Sequence, residues 1–336
     1  DRVSYIGLAG SREVLYSAAT VAQLAGLPAQ PMDPLLVFNV AFGKTVPDIS
    51  LNAIANLGYA GLRFLGPVYA GDTLSVDSEI IGLRETSNGR SGVVYTRSVA
   101  RRQDDRPILE WIRWVLVHKR GTDSTGLASV PELPRRVDPL DLVLPPCAAG
   151  VRDVARFTGA PDLWEDYAVG ERIDHPGAMT LNDSDHSIAT RLYQNTAKVH
   201  FDAHRMRSTP GGHRLVYGGH VISVCKALAY DGLENVLSVV AINGGSHLSP
   251  CHAGDTLHCA TQVMERIDLH HPFLGALRLR LCGAKNLDDA AQIEFPDPTR
   301  AATPASAANV LDLDYVAVVP RRTPAPSLST PDQKAT

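Results

Sequence analysis

The chain has 336 residues and a formal net charge of −4, from 32 Lys plus Arg against 36 Asp plus Glu, and this length suits about two domains of roughly 150 residues. No block of like charge exists to grip nucleic acid or an anionic membrane surface, and no run approaches the ~18 uninterrupted apolar residues of a membrane span. Five cysteines (Cys147, Cys225, Cys251, Cys259, Cys282) without C-x-x-C spacing fit a reduced, cytoplasmic setting better than a disulfide framework, and no basic-then-apolar signal segment follows Asp1.

In chain order, a helical part comes first and strands follow. Gly66-Pro67-Val68-Tyr69-Ala70-Gly71-Asp72-Thr73-Leu74 opens a stretch, Ser75 to Ile80, that alternates with period two, and the run Leu109 to Val117 closes the half. Gly121 to Cys147 is rich in Pro, Ser, Thr and Asp and reads as a linker across the surface. The opening motif then recurs as Ser249-Pro250-Cys251-His252-Ala253-Gly254-Asp255-Thr256-Leu257, at an offset of 183 (254 − 71). His258 to Val263 alternates again, and Val310 to Val319 closes the second half after an inserted segment, Asn286 to Ala308.

The second half shows its helical part more clearly. A strand is expected around Trp164-Glu165-Asp166-Tyr167, and Thr180-Leu181-Asn182-Asp183 has capping-box spacing ahead of Ile188, Ala189 and Leu192. A further helix opens at Gly218-Gly219, with Val221, Val224, Cys225 and Leu228 on one stripe. A long apolar helix wrapped by a curled antiparallel sheet, performed twice, is an α+β double hotdog. The expected layout is a hotdog over residues 1–120, a linker over 121–160, a second hotdog over 161–322 and a disordered tail over 323–336. Asp1 aligns with Asp185, so the counterpart of Leu163 to Thr180 is missing from the first half. An uncovered sheet edge would result, and about twenty or more native residues are expected to precede Asp1.

The densest polar cluster is Tyr193-Gln194-Asn195-Thr196-Ala197-Lys198-Val199-His200-Phe201-Asp202-Ala203-His204. It resembles the hydratase motif of MaoC-type (R)-specific enoyl-CoA hydratases, Gly-Asp-x-Asn-Pro-x-His followed by a glycine that opens the central helix. His200 falls on the motif histidine and Gly219 on the helix-opening glycine, while Asn195 replaces the aspartate, Ala197 the asparagine and Lys198 the proline. Leu36-Val37-Phe38, the run from Phe42 to Gly61, and Arg191-Leu192-Tyr193-Gln194-Asn195-Thr196-Ala197 resemble the mesaconyl-CoA (2-methylfumaryl-CoA) hydratases over almost the whole chain. The resemblance implies a lyase that interconverts 2-methylfumaryl-CoA and β-methylmalyl-CoA in carbon-assimilation routes such as the 3-hydroxypropionate cycle. It implies no metal or other cofactor, CoA being part of the substrate.

Hydrating an α,β-unsaturated thioester requires a site for the enolate-like oxygen, a base for water, and a proton for the α-carbon. Bare N–H groups at Gly218 and Gly219 meet the first need, and His200 the second. Asn195 can hold the water or fix the imidazole, and Asp202 can orient the ring or share the proton. The substrate's free carboxylate needs a cation, for which Arg63, Arg191, Arg205, Arg207 and His220 are available; Lys44 is placed to meet a CoA phosphate or solvent. In the first half Ser11, Glu13 and Tyr16 stand where Asn195, Ala197 and His200 stand, so that half is expected to be non-catalytic. Other readings stay open: hydration of another unsaturated acyl-CoA, a hotdog thioesterase, or a non-catalytic acyl-CoA-binding protein. A homodimer is the expected assembly, with no nucleic-acid or membrane partner.

Overall fold

The structure, a computed structural model, describes residues 1–51, 53–121, 123, 126, 128–209, 211–297 and 303–322. The expected disordered tail, 323–336, lies outside them. Short helices α1 (Arg2–Ala9), α2 (Val14–Ser17) and α3 (Ala19–Leu24) precede the long α4 (Pro34–Lys44) and a π-helical turn, Val46–Ser50. Strands β1 (Ala53–Phe64), β2 (Leu74–Glu85), β3 (Ser91–Arg102) and β4 (Pro107–His118) follow, then the two-residue β5 (Ala128–Ser129) and α5 (Ala155–Thr158). The pattern repeats with β6 (Arg172–Asp174), β7 (Met179–Thr180), α6 (Asp183–Leu192), α7 (Lys198–Phe201), α8 (Ala203–Met206) and the long α9 (Gly218–Leu228). Strands β8 (Ser238–His247), β9 (Thr256–Ile267), β10 (Leu274–Lys285) and β11 (Asn309–Pro320) complete it.

The strands form one antiparallel sheet in the order β5-β2-β3-β4-β1-β8-β11-β10-β9-β6, with β7 also on β9. The halves join where β1 pairs with β8, Tyr59 opposite Gly245 and Arg63 opposite Ala241. Pairing edge to edge satisfies two rows of backbone groups that separate sheets would leave open. Both long helices lie in one core with the inner faces of the sheet. Every residue of α9 after Gly218 is buried, which suits a helix apolar on nearly all sides and enclosed by sheet and α4. Helix α4 begins at Pro34, whose missing N–H costs nothing at a first turn, and Asp33 caps it by accepting from Leu35 N–H at 2.8 Å. The expected double hotdog is therefore observed, and the inserted segment falls between β10 and β11.

Three local expectations change. Trp164–Asp166 is a 3₁₀ turn; the edge of β9 is covered by β6 and β7 instead. Tyr167 and Trp164 face inward as anchors, the Trp164 indole donating to the Ala276 carbonyl at 2.9 Å, so aromatic packing took residues whose propensity suggested a strand. Thr180 lies in β7, and the cap position of α6 is Asn182. The linker does not merely cross the surface. Val137, Val151 and Val154 bury a second core with α2, α3 and the outer face of the sheet, and Asn243 Oδ1 accepts from Val137 N–H at 2.8 Å.

Candidate functional site

Helix α6 ends at Leu192, and Gln194 takes a left-handed conformation (φ 55°) that turns the chain back. Asn195, 1% exposed, closes the turn by donating its backbone N–H to Thr190 O at 3.2 Å. Its side-chain oxygen accepts from Ala197 N–H at 3.0 Å and so starts the short α7 that carries His200. The loop leans on the first half. A Cβ on Gly43 of α4 would stand 1.9 Å from Tyr193 O, so only glycine lets α4 approach this turn so closely.

His200 is 8% exposed. Its Nδ1 lies 2.8 Å from the Leu215 carbonyl oxygen, an atom that only accepts, so the neutral ring carries its proton on Nδ1 and its lone pair on Nε2. Burial pulls its pKa down to about 4. The ring meets Tyr217 edge-on at 5.6 Å between centroids. Tyr217 is the residue before α9, and no side chain among the described residues caps that helix. Its first N–H groups, on Gly218 and Gly219, make no intrahelical bond by construction and are left for an oxygen placed before them. A Cβ on Gly218 would stand 2.5 Å from the His247 ring, and one on Gly219 would stand 2.0 Å from Asn39 Oδ1. Both glycines are thus required by close packing as well as by any oxyanion role. Asn39 of α4 holds the crossing by donating to Gly219 O at 3.3 Å and Ser223 Oγ at 2.9 Å.

A buried polar rim extends from this centre. His220 accepts from or donates to the Tyr193 hydroxyl at 3.4 Å through Nδ1, and burial lowers its pKa to about 4. His247 Nε2 lies 3.3 Å from the Tyr59 hydroxyl, and burial followed by the neighbouring His200 lowers its pKa to about 4. Opposite Tyr59 in the sheet stands Arg113, which is fully buried. Its guanidinium lies 4.1 Å over the Phe42 ring and donates to Thr45 Oγ1 at 2.8 Å. The Phe42 ring is in turn 5.7 Å from that of Tyr217. His200, Tyr217, Phe42 and Arg113 therefore form one line of neighbours.

A family model described as mesaconyl-CoA hydratase matches residues 5–280. A mesaconyl-CoA hydratase of Cereibacter sphaeroides is 47% identical over 96% of this chain and 92% of its own. A beta-methylmalyl-CoA dehydratase of Chloroflexus aurantiacus is 46% identical over 96% and 91%. Among solved structures, a MaoC domain protein dehydratase from Chloroflexus aurantiacus superposes with a TM-score of 0.90 at 45% identity, covering 96% of this chain and 91% of that one. A conserved hypothetical protein of Mycobacterium tuberculosis with a double hotdog fold gives 0.74 at 26% identity, covering 95% and 91%. The chain belongs to the mesaconyl-CoA hydratase family.

Of the residues expected at a family site, the fold brings Asn195, His200, Gly218, Gly219 and His220 together. Asp202 is committed elsewhere: its Oδ1 accepts from Arg205 N–H at 2.9 Å and caps α8. Arg63 is turned away. A bulge between Ala60 and Arg63 shifts the β1 register and moves this side chain to the outer face. There it donates to Glu110 Oε1 at 2.8 and 2.6 Å and to the linker carbonyl of Asp141 at 3.2 Å. Arg191, Arg205 and Arg207 are exposed, and Arg191 spends its Nε on Ser187 O at 3.2 Å. Lys44 ends α4 and donates to Gln194 Oε1 at 3.3 Å. His247 and Arg113 were not anticipated. Arg113 had a signal: in the alternating run Leu109, Trp111, Arg113, Val115 it takes an inward position among residues that are all buried.

Proposed function

We propose that this chain adds water reversibly to mesaconyl-CoA, giving β-methylmalyl-CoA, at one site in its second half. The observation that carries the reading is the neutral His200 with its Nε2 lone pair free, beside the uncapped start of α9. His200 takes a proton from water as the water oxygen bonds to the β-carbon. The π electrons move toward the thioester, whose oxygen becomes enolate-like before the Gly218 and Gly219 N–H groups. The imidazolium then returns its proton to the α-carbon, so one group serves both steps on one face and the base is regenerated. Asn195 cannot exchange protons at neutral pH. It shapes the turn that presents His200 and holds the water.

The first half supports the reading by contrast. Tyr16 stands where His200 would and donates to Ser238 Oγ at 2.7 Å, and Pro34 and Leu35 open α4 where Gly218 and Gly219 open α9. A phenol in that position has no basic form near neutrality. No metal or cofactor is needed for this chemistry. Five free thiols support a reducing, cytoplasmic setting, and a homodimer remains the proposed assembly. No helix among the described residues is long and apolar enough to cross a membrane.

The test is incubation of the purified protein with mesaconyl-C1-CoA. Loss of enoyl-thioester absorbance with formation of β-methylmalyl-CoA is expected. Release of free thiol would mark a thioesterase instead, and no change in either would overturn the reading.

A further inference from the structure

The molecule buries two long cations at related places, and only one has an acid. Helices α4 and α9 are each eleven residues long at an offset of 184, which sets Phe42 against Lys226. Strands β4 and β11 are twelve residues each at an offset of 202, which sets Arg113 against Tyr315. Arg113 lies against Phe42 and the charge of Lys226 is felt at Tyr315, so cation and ring have changed places. In the second half Lys226 Nζ makes a buried ion pair with Glu13, which compensates the charge. In the first half Arg113 has no carboxylate partner among the described residues. Its Nη2 reaches the hydroxyls of Thr45 at 2.8 Å and Ser50 at 3.5 Å. Nε and Nη1 are buried with no hydrogen-bond partner among the described residues.

Burying an isolated charge is costly, and the cation–π contact with Phe42 offsets part of that cost without satisfying the remaining N–H donors. Guanidinium stays protonated here, since burial lowers its pKa only to about 10. Thr96 Oγ1, directly across from Arg113 in the sheet, and the Tyr217 hydroxyl are also buried without a hydrogen-bond partner among the described residues. Each edge of the guanidinium, Nε with Nη2 and Nη1 with Nη2, has one unused donor, and either edge takes a carboxylate in bidentate fashion once Nη2 leaves the hydroxyls.

We infer that Arg113 receives the substrate's free carboxylate and so selects dicarboxylic acyl-CoA thioesters over simple enoyl-CoA thioesters. The inference rests on the mesaconyl-CoA reading above. In that substrate the carboxylate is attached to the carbon that water attacks, and the rings of Tyr217 and Phe42 stand between His200 and Arg113, so these rings must shift for one ligand to meet both. The hydroxyls of Thr45 and Ser50 are neutral acceptors, and an incoming carboxylate outcompetes them for the same fork.

Two ligand pairs test it. The reactive pair is mesaconyl-C1-CoA and 2-methylcrotonyl-CoA, in which a methyl replaces the carboxylate; the unreactive pair is methylsuccinyl-CoA and 2-methylbutanoyl-CoA. Arg113→Met is expected to weaken use of mesaconyl-CoA and binding of methylsuccinyl-CoA by roughly 10²–10³-fold, the cost of truncating one partner of a buried charge pair. The neutral ligands should hold or gain. The Met variant should melt at or above the parent temperature, because an uncompensated buried charge has been removed. Arg113→Lys, which keeps the charge, should retain more of the preference than Arg113→Met. A Met variant that keeps the parent's preference for the dicarboxylic ligand, or that loses both ligands equally with a lower melting temperature, overturns the inference. Binding separates the two claims. If methylsuccinyl-CoA preference depends on Arg113 while mesaconyl-CoA is not hydrated by the parent, the hydration reading falls and the Arg113 assignment stands.

Discussion

His200 combines a committed Nδ1 proton with a pKa lowered to about 4 by burial, and that fixes how activity should respond to acid. The working form is the neutral ring, which is lost as pH falls through the folded-state value. Activity expressed as kcat/KM should therefore stay flat from about pH 8 to 6 and decline only toward pH 4, well below the range of an ordinary histidine. Asn195→Asp adds a carboxylate to the turn that presents the ring. Its opposite charge favours the imidazolium, so the acid limb should move upward by about one pH unit or more. Rate measurements across pH for parent and variant decide this; identical profiles would mean that position 195 does not sense the ring. The lowered value is not legible in the sequence, because nothing in the order of residues reveals that Leu215, Tyr217 and His247 surround the imidazole.

Helices α4 and α9 cross at Asn39 and Gly219, where a Cβ at 219 would fall 2.0 Å from Asn39 Oδ1 and 2.6 Å from the Tyr217 ring. Gly219→Ala must push these elements apart. It should destabilise the fold by about 1–3 kcal/mol, as overpacking does, and reduce kcat because the start of α9 moves. Adding Asn39→Ala should recover much of the stability, as read by urea midpoint; no recovery would mean the strain lies elsewhere. The two helices, the repeated strand blocks and the insertion were legible because period-two strands and the duplicated Ala-Gly-Asp-Thr-Leu turn are local signals. Arg63 was not. Its placement depends on one bulge in β1, and a one-residue register shift moves a side chain to the other face. The 3₁₀ turn at Trp164 likewise depends on partners distant in sequence.

At the scale of the whole molecule the two halves share a plan and divide the work. Where the second half keeps His200, the first buries Tyr16, and near it Asp33, Glu13 and Lys226 form a polar knot between the halves. Asp33 has its pKa raised from 3.8 to about 7, by burial first and by Glu13 next. The folded state therefore holds a proton that the unfolded chain releases above about pH 4. That contribution to stability is complete below the unfolded value and is lost as pH rises through the folded one. Asp33→Asn still accepts from Leu35 N–H but does not titrate. Its melting temperature relative to the parent should thus rise between pH 5 and pH 8; a difference that does not vary with pH would contradict the buried, protonated carboxyl.

One comparison tests the division of work most directly: turnover of mesaconyl-CoA by His200→Ala and by Tyr16→Phe, with folding of both verified by circular dichroism. His200→Ala is expected to lower kcat by about 10²–10⁴, the usual worth of general acid–base catalysis, while Tyr16→Phe stays within a few-fold of the parent. Equal losses in the two variants, or parent-like turnover in His200→Ala, would contradict a single active site built on His200.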